Sequence, residues 1–182
     1  MNDGLIPARY AKALYLVACE KQADKKLYST MKLMEESFRS EPGLQPVLAN
    51  PYVAADDKIA LLKSAAGVAD ADSPVFSDFL KLLARNRRLD MARGIANAYI
   101  DLYRRENNIY DVKIVSAAKL GDAELQRLHN LIKNHLNGGS MELTTSVDPD
   151  LIGGFTVSVG NERIDASVSN ELKQLRLNLI SK

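Results

Sequence analysis

The side chains able to do chemistry are few and scattered. His129 and His135 lie six residues apart on a predicted helix. A metal-binding pair on a helix needs a spacing of three or four, so that both rings share a face. Six residues is about 600° of helical turn, so the two rings point apart and read as surface or boundary histidines. Cys19 has no histidine near it in sequence and reads as a small buried or half-buried hydrophobe. Gly153-Gly154 enters a strand with no Lys-Ser/Thr pair and no helix opening behind it. That context speaks for a tight turn or a close backbone approach rather than a phosphate loop. The carboxylate pairs Asp56-Asp57 and Glu35-Glu36 fall on predicted helix surfaces, where solvation or the helix dipole accounts for them. Asp165 sits among apolar neighbours at a strand end, but one carboxylate without an acid, base or metal partner is not an active site. The basic cluster Arg85-Asn-Arg-Arg88 is short, lacks interleaved aromatics and ends a helix, which suits C-terminal capping or a protein contact. No catalytic residue, metal ligand or cofactor site emerges.

Bulk properties narrow the classes further. The 182 residues suit one large domain or two small ones, and 46% hydrophobic with 26% charged residues is a globular composition. Lys and Arg number 24 against 23 Asp and Glu, well mixed, so a net charge of +1 gives no general pull towards nucleic acid or anionic lipid. The longest apolar run, residues 13–19, is far below a membrane span. Residues 1–7 have neither a secretory nor a transit pattern. The single cysteine cannot form an internal disulfide and fits a reducing compartment. The expectation is a soluble cytoplasmic protein, held at any membrane by something else.

The elements divide the chain in two. Up to residue 107 the texture is helix after helix, with breaks at 41–43, 50–51, 67–74 and 86–90. Pro7 is expected to open the first helix, Asp24 to cap the second and Asp90 the sixth. Asn50-Pro51 ends a short third, Gly67 stops a fourth, and Ser73-Pro74 opens a fifth running to about Arg85. From residue 108 to 182 the pattern becomes strand, helix, strands, helix. Val112 and Ile114 mark the buried face of the first strand; Leu125, Leu128, Ile132 and Leu136 line a helix that Asn137-Gly138-Gly139 ends. Asn161-Glu162 is a hairpin signal, and Leu172, Leu175 and Leu179 form a stripe on the last helix. The expected fold is mainly α: an N-terminal six-helix bundle over 1–107, then a small α+β C-terminal domain over 108–182.

One element stands out. On the first helix the apolar positions Ala8, Tyr10, Ala11, Ala13, Leu14, Tyr15, Val17 and Ala18 sweep more than about 200° of the circumference, where an ordinary surface helix needs about 100°. Such a helix is either central in its bundle or buried on two sides, once by its own domain and once by a partner. The fifth helix is a milder case, with Val75 and Leu82 extending the stripe of Phe76, Phe79, Leu80 and Leu83 along one edge.

Short segments along the whole chain resemble one family. Ala8-Arg-Tyr-Ala-Lys-Ala-Leu-Tyr15 is similar to the opening signature of the delta subunits of F-type ATP synthases and of the mitochondrial oligomycin-sensitivity-conferring protein. Leu82-Leu-Ala-Arg-Asn-Arg-Arg-Leu89 resembles the family's Asn-x-Arg-Leu segment, and Val112-Lys-Ile-Val-Ser-Ala117 its interdomain strand. The most specific likeness is Val147-Asp-Pro-Asp-Leu-Ile-Gly-Gly-Phe155, followed in order by Val157, Gly160, Ile164-Asp-Ala-Ser-Val168 and Leu172-x-x-Leu175.

The resemblance implies a non-catalytic connector without cofactors. It implies that the N-terminal domain receives N-terminal helices of the alpha subunits, beside the neighbouring beta subunits, in a groove between the first and fifth helices. The C-terminal domain would meet the end of the b subunit of the peripheral stalk. The groove residues expected here are Tyr10, Ala13, Leu14, Val17, Val75, Phe79 and Leu82, with Asp165 and Ser167 organising the entry to the last helix. The expected location is the cytoplasmic face of a bacterial inner membrane, peripheral through the complex and without lipid insertion. The rival reading is a nucleic-acid or ribosome-associated adaptor, opposed by the near-zero charge and the lack of a basic stripe.

Overall fold

The computed structural model describes residues 4–68, 73–119, 121–135, 139–160 and 162–180. The chain is mainly helical with one small four-stranded sheet, and it divides into two compact units, Met1–Arg104 and Arg105–Lys182.

In the first unit, α1 (Leu5–Glu20) and α2 (Asp24–Ser40) are followed by the short α3 (Leu44–Ala49), α4 (Ala55–Ala65), α5 (Pro74–Arg85), a 3-10 turn at Leu89–Met91, and α6 (Ala92–Glu106). Several expected boundaries shift. Helix α1 starts two residues before Pro7, at Leu5, with Gly4 as N-cap. Pro7 still lies in the first turn, where its missing N–H leaves no bond unmade. Asp24 is not the cap of α2 but its first helical residue, because the backbone of Ala23 takes the cap position; there the carboxylate complements the helix dipole. Asp90 caps nothing: it lies inside the 3-10 turn, where its carbonyl accepts a 2.9 Å bond from the Gln45 amide. Ser73 does occupy the N-cap of α5 with Pro74 at N1, though its side chain makes no capping bond. The α5 C-terminus closes through Arg88 N–H to the Leu83 carbonyl and Arg87 N–H to the Ala84 carbonyl. This double closure puts Arg87 at φ 54°, a left-handed position that usually falls to glycine.

The wide apolar arc of α1 divides into three faces. Pro7, Ala11, Leu14 and Ala18 face the core. Tyr15, on one side of that stripe, meets Tyr99 and Tyr103 of α6 edge-on at 6.1 and 6.3 Å, and Tyr103 stacks on Tyr28 of α2 at 4.3 Å. Burial, with Asp24 adding to it, pushes the Tyr99 phenol above its ordinary pKa. On the other side, about a quarter-turn round, Tyr10, Ala13 and Val17 form a separate face. Cys19, expected buried or half-buried, is exposed. It shares the outward arc with Lys12, since helical position rather than residue type decides what a surface helix shows to water.

In the second unit, β1 (Ile109–Ser116) leads through α7 (Asp122–His135) into β2 (Ser140–Val147), a parallel partner that needs such a crossover. A short 3-10 turn at Pro149–Leu151 precedes β3 (Gly154–Val159) and β4 (Glu162–Ser167), and α8 (Val168–Ile180) closes the chain. The sheet order is β2-β1-β3-β4, with β3 antiparallel to both β1 and β4. Val112, Ile114 and Val157 form its core, covered by Leu128 and Ile132 of α7. Leu136, Asn137, Gly138 and Asn161, and the side chains of His135 and Leu179, lie outside the described residues. Leu172 and Leu175 of α8 are more than half exposed.

Candidate docking groove

The seven residues singled out on α1 and α5 come together along one hollow of about 200 Å³. Tyr10, Ala13, Leu14 and Val17 form one wall; Val75, Phe79 and Leu82 form the other. Each wall repeats at three or four residues, which keeps its members on one helical face. Leu14, Val75 and Phe79 are buried and make the floor, whereas Val17 is 40% and Leu82 47% exposed. The Tyr10 and Phe79 rings meet edge-on at 6.4 Å, a contact worth about 0.5–1.5 kcal/mol that holds the walls in register. Ala13 is exposed and small, so the α1 backbone is open to close approach there.

Three polar residues of the groove were not foreseen. Lys21 and Asp78 also line it. Both lie on the same helical rows as the apolar set, one turn beyond Val17 and between Val75 and Leu82, and that spacing would have found them. Asn86, the C-cap of α5, donates a 3.1 Å bond to the Tyr10 hydroxyl across 76 positions of sequence. No local pattern announces that bond.

The other candidates have structural roles. Gly154 has φ +75°, and a Cβ there would collide with the Ala166 carbonyl of β4. A Cβ on Gly153 would stand 2.9 Å from a Val168 methyl. These glycines permit close strand and helix packing and form no anion cradle. The Asp165 carboxylate accepts from the Ser167 hydroxyl at 2.6 Å and the Ser167 N–H at 3.0 Å. Those two donors, with Arg163 adding to them, hold its pKa below the ordinary value. The Ser167 hydroxyl in turn accepts the Asn170 N–H, starting α8. His129 is exposed. Among the described residues no group of three His, Cys, Asp or Glu is placed to hold a metal ion, and no helix is long and apolar enough to cross a membrane.

The site is thus a solvent-open, mainly apolar groove on a helical unit, with Lys21 and Asp78 as its charged lining. The chain belongs to the ATP synthase delta (OSCP) subunit family, whose model matches residues 6–179. It is 36% identical over 180 residues to the ATP synthase subunit delta of Parabacteroides distasonis, covering 99% of this chain and 98% of that one. It is likewise 36% identical over 182 residues to the subunit of the same name from Bacteroides thetaiotaomicron, covering 100% and 97%. In fold it is similar to a chain of the Toxoplasma gondii mitochondrial ATP synthase hexamer, with a TM-score of 0.72 at 24% identity over 96% of this chain and 97% of that one.

Proposed function

We propose that this chain is the stator connector of an F-type ATP synthase, tying the catalytic head to the peripheral stalk so that torque from the rotating shaft is held by the stator. The observation that carries this reading is the apolar groove between α1 and α5, whose walls are half-solvated in the isolated chain. The first unit acts as a six-helix bundle whose groove takes the N-terminal helix of an alpha subunit, laid in by its apolar face. The second unit meets the end of the b subunit, and the exposed Leu172 and Leu175 of α8 give it an apolar surface for that contact. The protein contributes affinity and rigidity and carries out no chemistry. Its place is the cytoplasmic face of a bacterial inner membrane, peripheral through its complex.

The test is binding of a peptide spanning the alpha-subunit N-terminal helix to the wild-type chain and to Ala13→Asp. A charge at the exposed Ala13 position should weaken binding at least tenfold while leaving the thermal unfolding of the free protein unchanged. Undiminished affinity would remove the groove assignment. Recovery of alpha and b subunits with the tagged chain from mildly solubilised membranes tests the connector role as a whole; recovery of neither refutes it.

A further inference from the structure

The groove is not the same at its two ends. Because Tyr10 stands by Phe79 and Asn86 while Val17 and Lys21 share the hollow with Val75 and Asp78, α1 and α5 run antiparallel along it. At the Tyr10 end the exposed rims carry Arg9 on α1 and Arg85 on α5. Among the described residues neither has a carboxylate partner. At the other end the rims carry Glu20 and Asp78, the latter 3.7 Å from Lys81, with Lys21 beside them. One end is therefore basic and the other close to neutral.

The Tyr10 hydroxyl sharpens this difference. It accepts the Asn86 amide at 3.1 Å, so its lone pair is engaged and its orientation fixed, while its own proton finds no acceptor among the described residues. An oriented O–H donor at the end of an apolar trough where α1 and α5 carry the exposed Arg9 and Arg85 is complementary to a carboxylate.

We infer that the groove recognises an acidic side chain in the first turn of the docked helix, held by the Tyr10 hydroxyl at the end that carries Arg9 and Arg85, and that this helix consequently lies parallel to α1. The inference rests on the proposed docking function and adds to it a direction and a charge requirement. The direction follows because a helix best tolerates its carboxylates at its own N-terminus, where they complement the dipole. The basic end of the groove is the end where α1 begins. The Tyr10–Asn86 bond thus acts as a polar stop that sets the register of an otherwise slippery apolar contact.

The test uses the full chain and a peptide of the alpha-subunit N-terminal helix, with first-turn Glu or Asp replaced by the amide in a second peptide. Tyr10→Phe should lower affinity roughly tenfold, the loss of a hydrogen bond to a charged group, and Arg9→Gln with Arg85→Gln should flatten the salt dependence. These losses should vanish against the amide peptide, as coupled partners require. A photoreactive group on the peptide N-terminus should label residues around Asn86, and one on the C-terminus residues around Lys21. If Ala13→Asp abolishes binding but Tyr10→Phe does not alter it, or if the labels exchange ends, this inference fails while the groove assignment stands. If Ala13→Asp is also without effect, both fall. Unchanged circular dichroism melts of Tyr10→Phe separate lost recognition from lost folding.

Discussion

Leu82 and Leu83 are adjacent on α5 and should respond oppositely to the same substitution. Leu83 is 0% exposed and Leu82 is 47% exposed. Leu83→Ala leaves a cavity in the helical core and should cost about 2–5 kcal/mol of stability. Leu82→Ala removes a side chain with about half its surface still in water. Full burial of a leucine is worth about 1.5–3 kcal/mol, so docking can add about 1 kcal/mol at this position. The expected result is a roughly fivefold loss of affinity for the alpha-subunit helix with little change in stability. Isothermal titration with the N-terminal peptide, beside urea unfolding of the free variants, reads both quantities. If Leu82→Ala destabilises the chain as much as Leu83→Ala, Leu82 belongs to the core and the groove wall is misassigned. If it changes neither stability nor affinity, no helix covers that wall.

Gly154→Ala should loosen the sheet by about 2–4 kcal/mol, since the new Cβ meets the Ala166 carbonyl at a left-handed φ of +75°; hydrogen exchange should speed in β3 and β4 and not in α5. Arg87→Gly should stabilise the first unit by about 0.5–1 kcal/mol by relieving the φ of 54° at the α5 terminus, read as a higher unfolding midpoint. The Asp165 carboxyl should titrate below its ordinary 3.8, because the Ser167 hydroxyl and N–H favour the charged form. A folded pKa below the unfolded one adds stability above the unfolded value and loses it as pH falls through the folded value. Fraying of α8 in acid, followed by NMR, should therefore track that titration, and Asp165→Asn should remove the dependence.

The periodic features were legible in the sequence and the non-periodic ones were not. The face shared within each groove wall follows from the helical repeat, with Val17 one turn after Ala13 and Leu82 one turn after Phe79, whereas the pairing of the two helices came from the family resemblance. The core of the sheet, Val112 and Ile114, follows from alternation in the same way. Caps failed where they depended on the preceding backbone, as at Asp24, displaced by Ala23, and at Asp90, taken into a 3-10 turn. Cys19 was misplaced because its residue type was weighed above its helical position beside Lys12. The Tyr10–Asn86 bond joins residues 76 apart, and only tertiary folding brings them together. Nor does the leucine stripe of α8 state which side of an amphipathic helix its own sheet will cover, and here Leu172 and Leu175 remain exposed.

In the proposed connector role the chain must stay soluble alone yet hold firmly once assembled, and the groove's exposure bears on that balance. Its exposed walls, chiefly Val17 and Leu82, offer about 1 kcal/mol each on docking. That is far short of the roughly 12 kcal/mol of nanomolar binding. Most of the affinity must then come from the occupant, whose apolar side chains leave water completely on entering a trough of about 200 Å³ already lined by buried Leu14, Val75 and Phe79. Preformed walls lose little entropy on binding, because the Tyr15, Tyr28, Tyr99 and Tyr103 cluster and the α5 core already fix both helices. Truncating one apolar residue of the docked helix should accordingly cost more affinity than truncating any single exposed residue of the groove.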